Sequence, residues 1–179
     1  MNLRKVSEEV FVADEAIVQV GDADVAFLKG QALASPRRRS RICAHRSGDD
    51  ALHEMVIAIA RDSYVHPHRH FGKSESFHVV EGSVDVAIFE DDGTLETVVP
   101  MGVPGSGRQF FYRLSDRRYH TLCIRTPVVV IHEVTNGPFD PALTEMAPFA
   151  PPEADQDRAR EYMAEVAARV DRYIAGERP

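Results

Sequence analysis

The chain of 179 residues, 44% hydrophobic and 27% charged, has the composition of one globular domain whose core is large enough to need no covalent staples. Its formal net charge of -7 argues against a surface built for nucleic-acid backbones, and Cys43 and Cys123, far apart and outside any C-x-x-C pattern, indicate neither a disulfide framework nor a zinc ribbon. No apolar run has the length of a membrane span, and the opening MNLRKVSEEVFV lacks the apolar stretch of a signal peptide, so a reduced, cytoplasmic protein is expected.

In chain order, residues 9–13 and 16–20 alternate apolar and polar side chains around Asp14-Glu15, which predicts a short hairpin or two edge strands. Asp22 is placed to cap a helix over residues 23–34, with Val25, Leu28, Ala32 and Leu33 on one stripe, before Ser35-Pro36 stops it. The basic run Arg37-Arg38-Arg39-Ser40-Arg41 reads as a solvated edge strand with guardian charges, with local attraction for an anion or nucleic acid as the alternative. Strands are predicted over residues 39–45 and 53–60; the second is apolar on both faces, and a helix over 50–60 is its competing reading. Residues 83–90 alternate, Asp91-Asp92-Gly93 turns the chain, and 95–99 return. The Gly- and Pro-rich residues 100–107 form a loop able to lid a pocket, followed by strands over 108–114, 119–125 and 128–135 that Asn136-Gly137-Pro138 ends. So many short strands with regular turns imply a barrel or sandwich.

From residue 153 to 175 the period becomes 3.6, with Ala159, Met163, Val166, Val170 and Tyr173 or Ile174 on one stripe and Gly176 as a stop. This helix either folds back on the barrel or packs against a second subunit. The expected organisation is a single domain over residues 1–152, divided into N-terminal strands and helix (residues 1–36), a barrel core (37–140) and a Pro-rich linker (141–152), with the helical segment 153–179 packed on it.

The chemistry concentrates in HPHRHFGKSESFHVVEG, residues 66–82. In an extended chain His66, His68 and His70 share one face, and a hairpin through Phe71-Gly72-Lys73-Ser74 brings Glu75 opposite them on the returning strand. Imidazoles with a carboxylate suit Fe, Mn, Ni, Cu or Zn, and two histidines plus one carboxylate already form a set that leaves metal positions open. His66 is an alternative ligand, a proton carrier near neutral pH, or a rim residue. His53 and His78 fall on other faces and read as satisfied or exposed histidines.

At these residues the sequence resembles the cupin family, whose first motif is His68-x-His70, four residues, Glu75, six residues, Gly82 as it stands here. The resemblance implies an all-β cupin barrel (a double-stranded β-helix, or jelly roll) with a peripheral N-terminal helix and a C-terminal α-helix. It also implies a fourth ligand from the second motif, His120 within Tyr119-His120-Thr121. The implied cofactor is a divalent transition metal, Fe, Mn, Ni or Zn, held by His68, His70, Glu75 and His120. Asp62 stands where the family often has glycine, and Ser115-x-Arg117 where it usually has P-x-G, changes that touch turns and not ligands. Ser35-Pro36-Arg37-Arg38-Arg39, Asp49-Asp50-Ala51-Leu52-His53-Glu54, Asn136-Gly137-Pro138-Phe139 and Ala147-Pro148-Phe149-Ala150-Pro151 further resemble the WbuC-type branch, over residues 35–152. That branch is associated with bacterial surface-polysaccharide gene clusters.

Within this resemblance Glu133 is either a second carboxylate facing the pocket or an anchor of the Gly-Pro turn, and Tyr112 either packs with a polar handle or touches substrate. The expected function is a metal-dependent enzyme, an isomerase, epimerase or lyase acting on a small polar, sugar-like metabolite, with His66, Glu133 or Tyr112 moving protons. An Fe-dependent cupin dioxygenase and a non-catalytic metal or ligand sensor are the alternatives. Exposed apolar edges on the N-terminal strands, together with the habit of cupins, imply a homodimer, with neither nucleic acid nor membrane as a partner.

Overall fold

Short runs of β-branched and aromatic residues, each closed by a turn, pair into two facing sheets in the computed structural model, which describes residues 1–177. In chain order the elements are β1 (Leu3–Lys5), β2 (Val10–Ala13), α1 (Asp22–Ala34), β3 (Arg39–Cys43), β4 (Leu52–Ala60), β5 (His68–His70), β6 (Glu75–Glu81) and β7 (Ser83–Phe89). There follow β8 (Leu95–Gly102), β9 (Phe111–Leu114), β10 (Tyr119–Ile124), β11 (Val128–Asn136), β12 (Thr144–Met146) and α2 (Gln156–Ile174). One sheet has the order β1-β2-β3-β4-β11-β6-β9 and the other β12-β5-β10-β7-β8. All pairings are antiparallel except β2 with β3.

Period-two alternation decides what enters the barrel. Across the larger sheet Cys43 lies opposite Met55, Met55 opposite Glu133, Glu133 opposite Phe77, and Phe77 opposite Tyr112, one continuous inward row. The next row toward the rim sets Thr135 between His53 and Glu75. Deeper rows are apolar, with Ile57, Ile59, Val79 and Ile131 meeting Val84, Val86 and Leu122 of the smaller sheet. Each such burial stabilises by about 1.5–3 kcal/mol relative to exposure. The outward residues of β4, Val56, Ala58 and Ala60, pack with Ile42 and Val130 against Leu28 and Ala32 of α1, which is why β4 is apolar on both faces. Leu33, expected on that helical stripe, is exposed.

α2 covers the outer face of the smaller sheet, with Ala159, Val166 and Val170 against Ala87, Phe89 and Cys123. Of the two placements open in the sequence, it takes the fold onto its own barrel. The Asp155 carboxylate accepts the Arg158 N–H to cap it, and positions 178 and 179 of the expected helical segment lie outside the described residues.

Four sequence expectations are corrected. The N-terminal hairpin pairs β1 with β2, and residues 16–20 form no strand. The turn is made at Val6-Ser7, where the Val6 N–H reaches the Val10 carbonyl at 2.8 Å, while Glu15 of the presumed turn instead accepts the Asn2 N–H. The histidine strand shrinks to β5, because Pro67 has no N–H for a ladder. β5 and β6 do not form a hairpin: residues 71–74 cross from one sheet to the other, with Gly72 at φ 64° taking the left-handed conformation the crossing requires. Finally, residues 141–152 are not only a linker, since β12 pairs with β5 and extends the smaller sheet.

Candidate metal centre

His68 and His70 come from β5, His120 from the neighbouring β10 directly opposite His68, and Glu75 from the start of β6 in the other sheet. One donor atom from each of the four lies within 4.8 Å of the others. Each imidazole is held by its far nitrogen: Nδ1 of His68 is 2.8 Å from the His66 carbonyl, Nδ1 of His120 is 3.0 Å from the Arg118 carbonyl, and Nδ1 of His70 is 3.0 Å from Thr144 Oγ1. Carbonyls accept, so Nδ1 of His68 and of His120 carries the proton and the Nε2 lone pair faces inward.

Nε2 of His120 and Oε1 of Glu75 are shielded from solvent and 2.8 Å apart, yet neither has a hydrogen bond of acceptable geometry. Oε2 of Glu75 lies 3.4 Å from Nε2 of His70. Two buried polar atoms this close and without a hydrogen bond are a place where a cation would be accommodated, since an unpaired buried group is costly. Neutral imidazoles and an ionised carboxylate are the donor set of a divalent transition metal, so these residues fit one.

The electrostatics fit the donor roles of His68 and Glu75. Burial, then the neighbouring His120, pushes His68 down to about 3, leaving it neutral. Burial disfavours an ionised Glu75, but the imidazoles of His120, His70 and His68 outweigh it and hold the carboxyl well below the usual range. Burial likewise disfavours charge on His120, and Glu75 reverses the sign to raise it.

The four side chains open on a cavity of about 740 Å³ between the inward faces of the two sheets. Glu133, one inward row from Glu75, lines it, and burial, followed by repulsion from Glu75, pushes its carboxyl up to about 8. It faces the pocket and no hydrogen bond ties it to the Gly-Pro turn among the described residues. His66 lies on the wall with Nε2 3.3 Å from the Ala147 carbonyl, outside the four-residue group. Tyr112 is not on the wall: it packs inside the barrel against Phe77, ring centroids 5.6 Å apart, with its hydroxyl buried and without a hydrogen bond. Burial and then Glu75 push its phenol up, keeping it neutral beside the ligand and away from a cavity-bound molecule. Residues 100–107, expected as a lid, do not border the cavity. β8 runs on to Gly102, and the loop beyond folds back so that the Gln109 N–H meets the Pro100 carbonyl at 3.0 Å.

The arginine run is corrected as well. β3 lies between β2 and β4 and is no edge; Arg39, Arg41 and Cys43 alternate toward the cavity, and Ile42 packs on the opposite face against α1. Thr144 and the stacking of His45 on His53, 4.1 Å between centroids, escape a reading of the sequence. Only the alternation of β3 carries a signal for Arg41, and it requires knowing the strand's place in the sheet. His53 is satisfied by the Gly48 carbonyl at 3.2 Å, and His78 is exposed against Phe110. A second cavity, about 400 Å³ under α2, gathers no comparable donor set.

Residues 20–101 match a family described as Domain of unknown function (DUF6016). No curated protein matches the sequence. Among solved structures the chain is similar to protein SO0799 from Shewanella oneidensis, with a TM-score of 0.52, 14% identity, and 69% of this chain and 81% of that one covered. It is similar also to the cupin domain of Schizosaccharomyces pombe Cnp3, with a TM-score of 0.42, 11% identity, and coverage of 55% and 64%. Oxalate decarboxylase from Lactobacillus farciminis, in a formate complex, gives a TM-score of 0.43 at 12% identity; 54% of this chain matches only 27% of that one. At such identities the likeness is one of fold. The chain has the cupin barrel, flanked by a helix near each end, and carries within it a His68, His70, Glu75 and His120 group able to hold a metal ion. No helix among the described residues is long and apolar enough to cross a membrane.

Proposed function

We propose that the chain is a cytoplasmic, metal-dependent enzyme that acts on a small polar, sugar-like metabolite, with His68, His70, Glu75 and His120 as ligands. The observation that carries this reading is the opening of the four-donor group on a cavity of about 740 Å³, a volume in the range of small-molecule sites. His68, His70, Glu75 and His120 would hold a divalent ion, which would supply Lewis acidity toward an oxygen of the metabolite. The chain's own residues do the rest. Glu133, protonated up to about pH 8, holds or gives a proton at its carboxyl, as an isomerase, epimerase or lyase requires. His66 borders the same space and orients polar groups. Tyr112 packs on Phe77 inside the barrel, off the cavity wall. The resemblance of residues 35–152 to the WbuC-type branch supports a sugar or sugar-nucleotide substrate in surface-polysaccharide metabolism.

The test is turnover of candidate sugars and oxo-acids by metal-loaded protein, with and without O2, beside crystals soaked in the same compounds. Turnover that ignores O2 and is lost in Glu133→Gln supports the proposal. Dependence on ferrous iron and O2 identifies a dioxygenase instead. Absence of turnover and of any ligand at the metal leaves a sensor.

A further inference from the structure

The cavity concentrates positive charge within a chain whose formal net charge is -7. Of its carboxyl groups, Glu9 pairs with Arg37 at 3.3 Å and Glu153 with Arg37 and Arg39 at 3.1 and 2.7 Å, Glu75 belongs to the candidate metal centre, and burial pushes the Glu133 carboxyl up toward its neutral form. Arg38, outside the cavity, is held by Asp62. Arg41 differs from the rest of its run. It stands inward on β3 opposite Ile57, borders the cavity and is exposed; it makes neither an ion pair nor a side-chain hydrogen bond among the described residues, and Glu133, whose carboxyl its charge pulls down against burial, is the carboxyl group that feels it across the cavity. Arg46 and Lys73 border the same cavity without a carboxylate partner, Lys73 resting its amine 5.6 Å over Phe139.

A guanidinium left unpaired on a concave wall offers a fork of N–H donors fitted to two oxygens of one anion. No ion pair fastens Arg41 to a neighbouring segment among the described residues, whereas Arg37, Arg38 and Arg39 are each held by one. We infer that Arg41, assisted by Arg46 and Lys73, is the specificity residue of the cavity and binds an oxyanion, carboxylate or phosphate, carried by the substrate. The inference rests on the proposed use of this cavity for a small polar metabolite, and narrows that class to acidic ones.

Calorimetric titration of full-length, metal-loaded protein with glucose, glucuronate and glucose 6-phosphate tests it, because the three probes share a ring and differ in charge. The acidic probes are expected to bind at least about 10-fold more tightly than glucose, an advantage that fades as salt screens it. Arg41→Gln should remove that advantage while leaving the metal content and melting temperature unchanged, and Arg41→Lys should restore some of it. Preference for glucuronate or for glucose 6-phosphate tells carboxylate from phosphate, and either supports the assignment. Equal binding of all three probes, retention of the advantage in Arg41→Gln, or no binding at all overturns it. Failure of the metal-enzyme reading shows elsewhere. If His68→Ala loses its metal and still binds acidic probes through Arg41, the anion site stands without the metal chemistry.

Discussion

Glu75 is the one candidate donor of the four drawn from the larger sheet, and its charge is held by imidazoles although burial opposes it. Elemental analysis of purified protein is therefore expected to find metal in the parent chain and little in His68→Ala, His120→Ala or Glu75→Gln; undiminished metal in these variants would defeat the ligand assignment. Thr144 touches no metal but receives Nδ1 of His70, so Thr144→Val is expected to weaken metal affinity by about 10–100-fold in a chelator competition. Glu133 predicts a pH dependence whose sign follows from its raised pKa. The unfolded chain ionises this carboxyl near the ordinary value of about 4.3, the folded chain only near 8, so its contribution is complete at acid pH and is lost as pH rises through 8. In metal-free protein the melting temperature of the parent should fall relative to Glu133→Gln between about pH 5 and pH 8. Parallel curves would mean that Glu133 is not shielded as described.

At the scale of the element, α2 behaves as its 3.6 period requires. Val166, 1% exposed at the centre of the cluster with Phe89 and Cys123, should cost about 1–3 kcal/mol when replaced by Ala, read from urea unfolding, with metal content retained. Such patterns are legible because they are local: the turn periods of the helices, the alternation of β7, the spacing of His68, His70 and Glu75. What escapes is set by distant pairing. Nothing near residues 71–74 says whether they close a hairpin or cross between sheets, and that choice depends on β10 and β11, which arrive far later in the chain. The inward placement of Arg41 eludes the sequence for the same reason, since its run is readable as basic and only the neighbours β2 and β4 say which face is inward. The Gly- and Pro-rich loop is recognisable as a loop, but its distance from the cavity follows from the length of β8, decided by pairing with β7. Gly82 is placed by motif alone, and the fold supplies the reason: it sits at φ 82°, where a Cβ would come within 2.7 Å of the Val128 carbonyl.

For the whole molecule we propose the homodimer expected from sequence, since apolar side chains stay exposed at both ends of the larger sheet, Val6 and Ile17 near β1 and β2, Phe110 and Phe111 at β9. Sedimentation at micromolar concentration should give twice the mass of 20.0 kDa, and a monomer would remove the proposal. The division of the ligands between two sheets has a consequence in time. β5 meets β10 through a single opposed pair, His120 with His68, and its other neighbour is the three-residue edge strand β12. Two of the four candidate donors thus ride on a narrow strap, and an ion held by the four would fasten that strap to the far wall. Its departure must wait for the strap to lift, so the rate of metal loss should level off as chelator concentration rises, at the rate of local opening. Amide exchange along β5 and β12 should slow when the ion is added, and Thr144→Val, which loosens the same strap, should raise the plateau. A release rate that climbs in proportion to chelator without limit would show that the ion leaves directly through the cavity mouth.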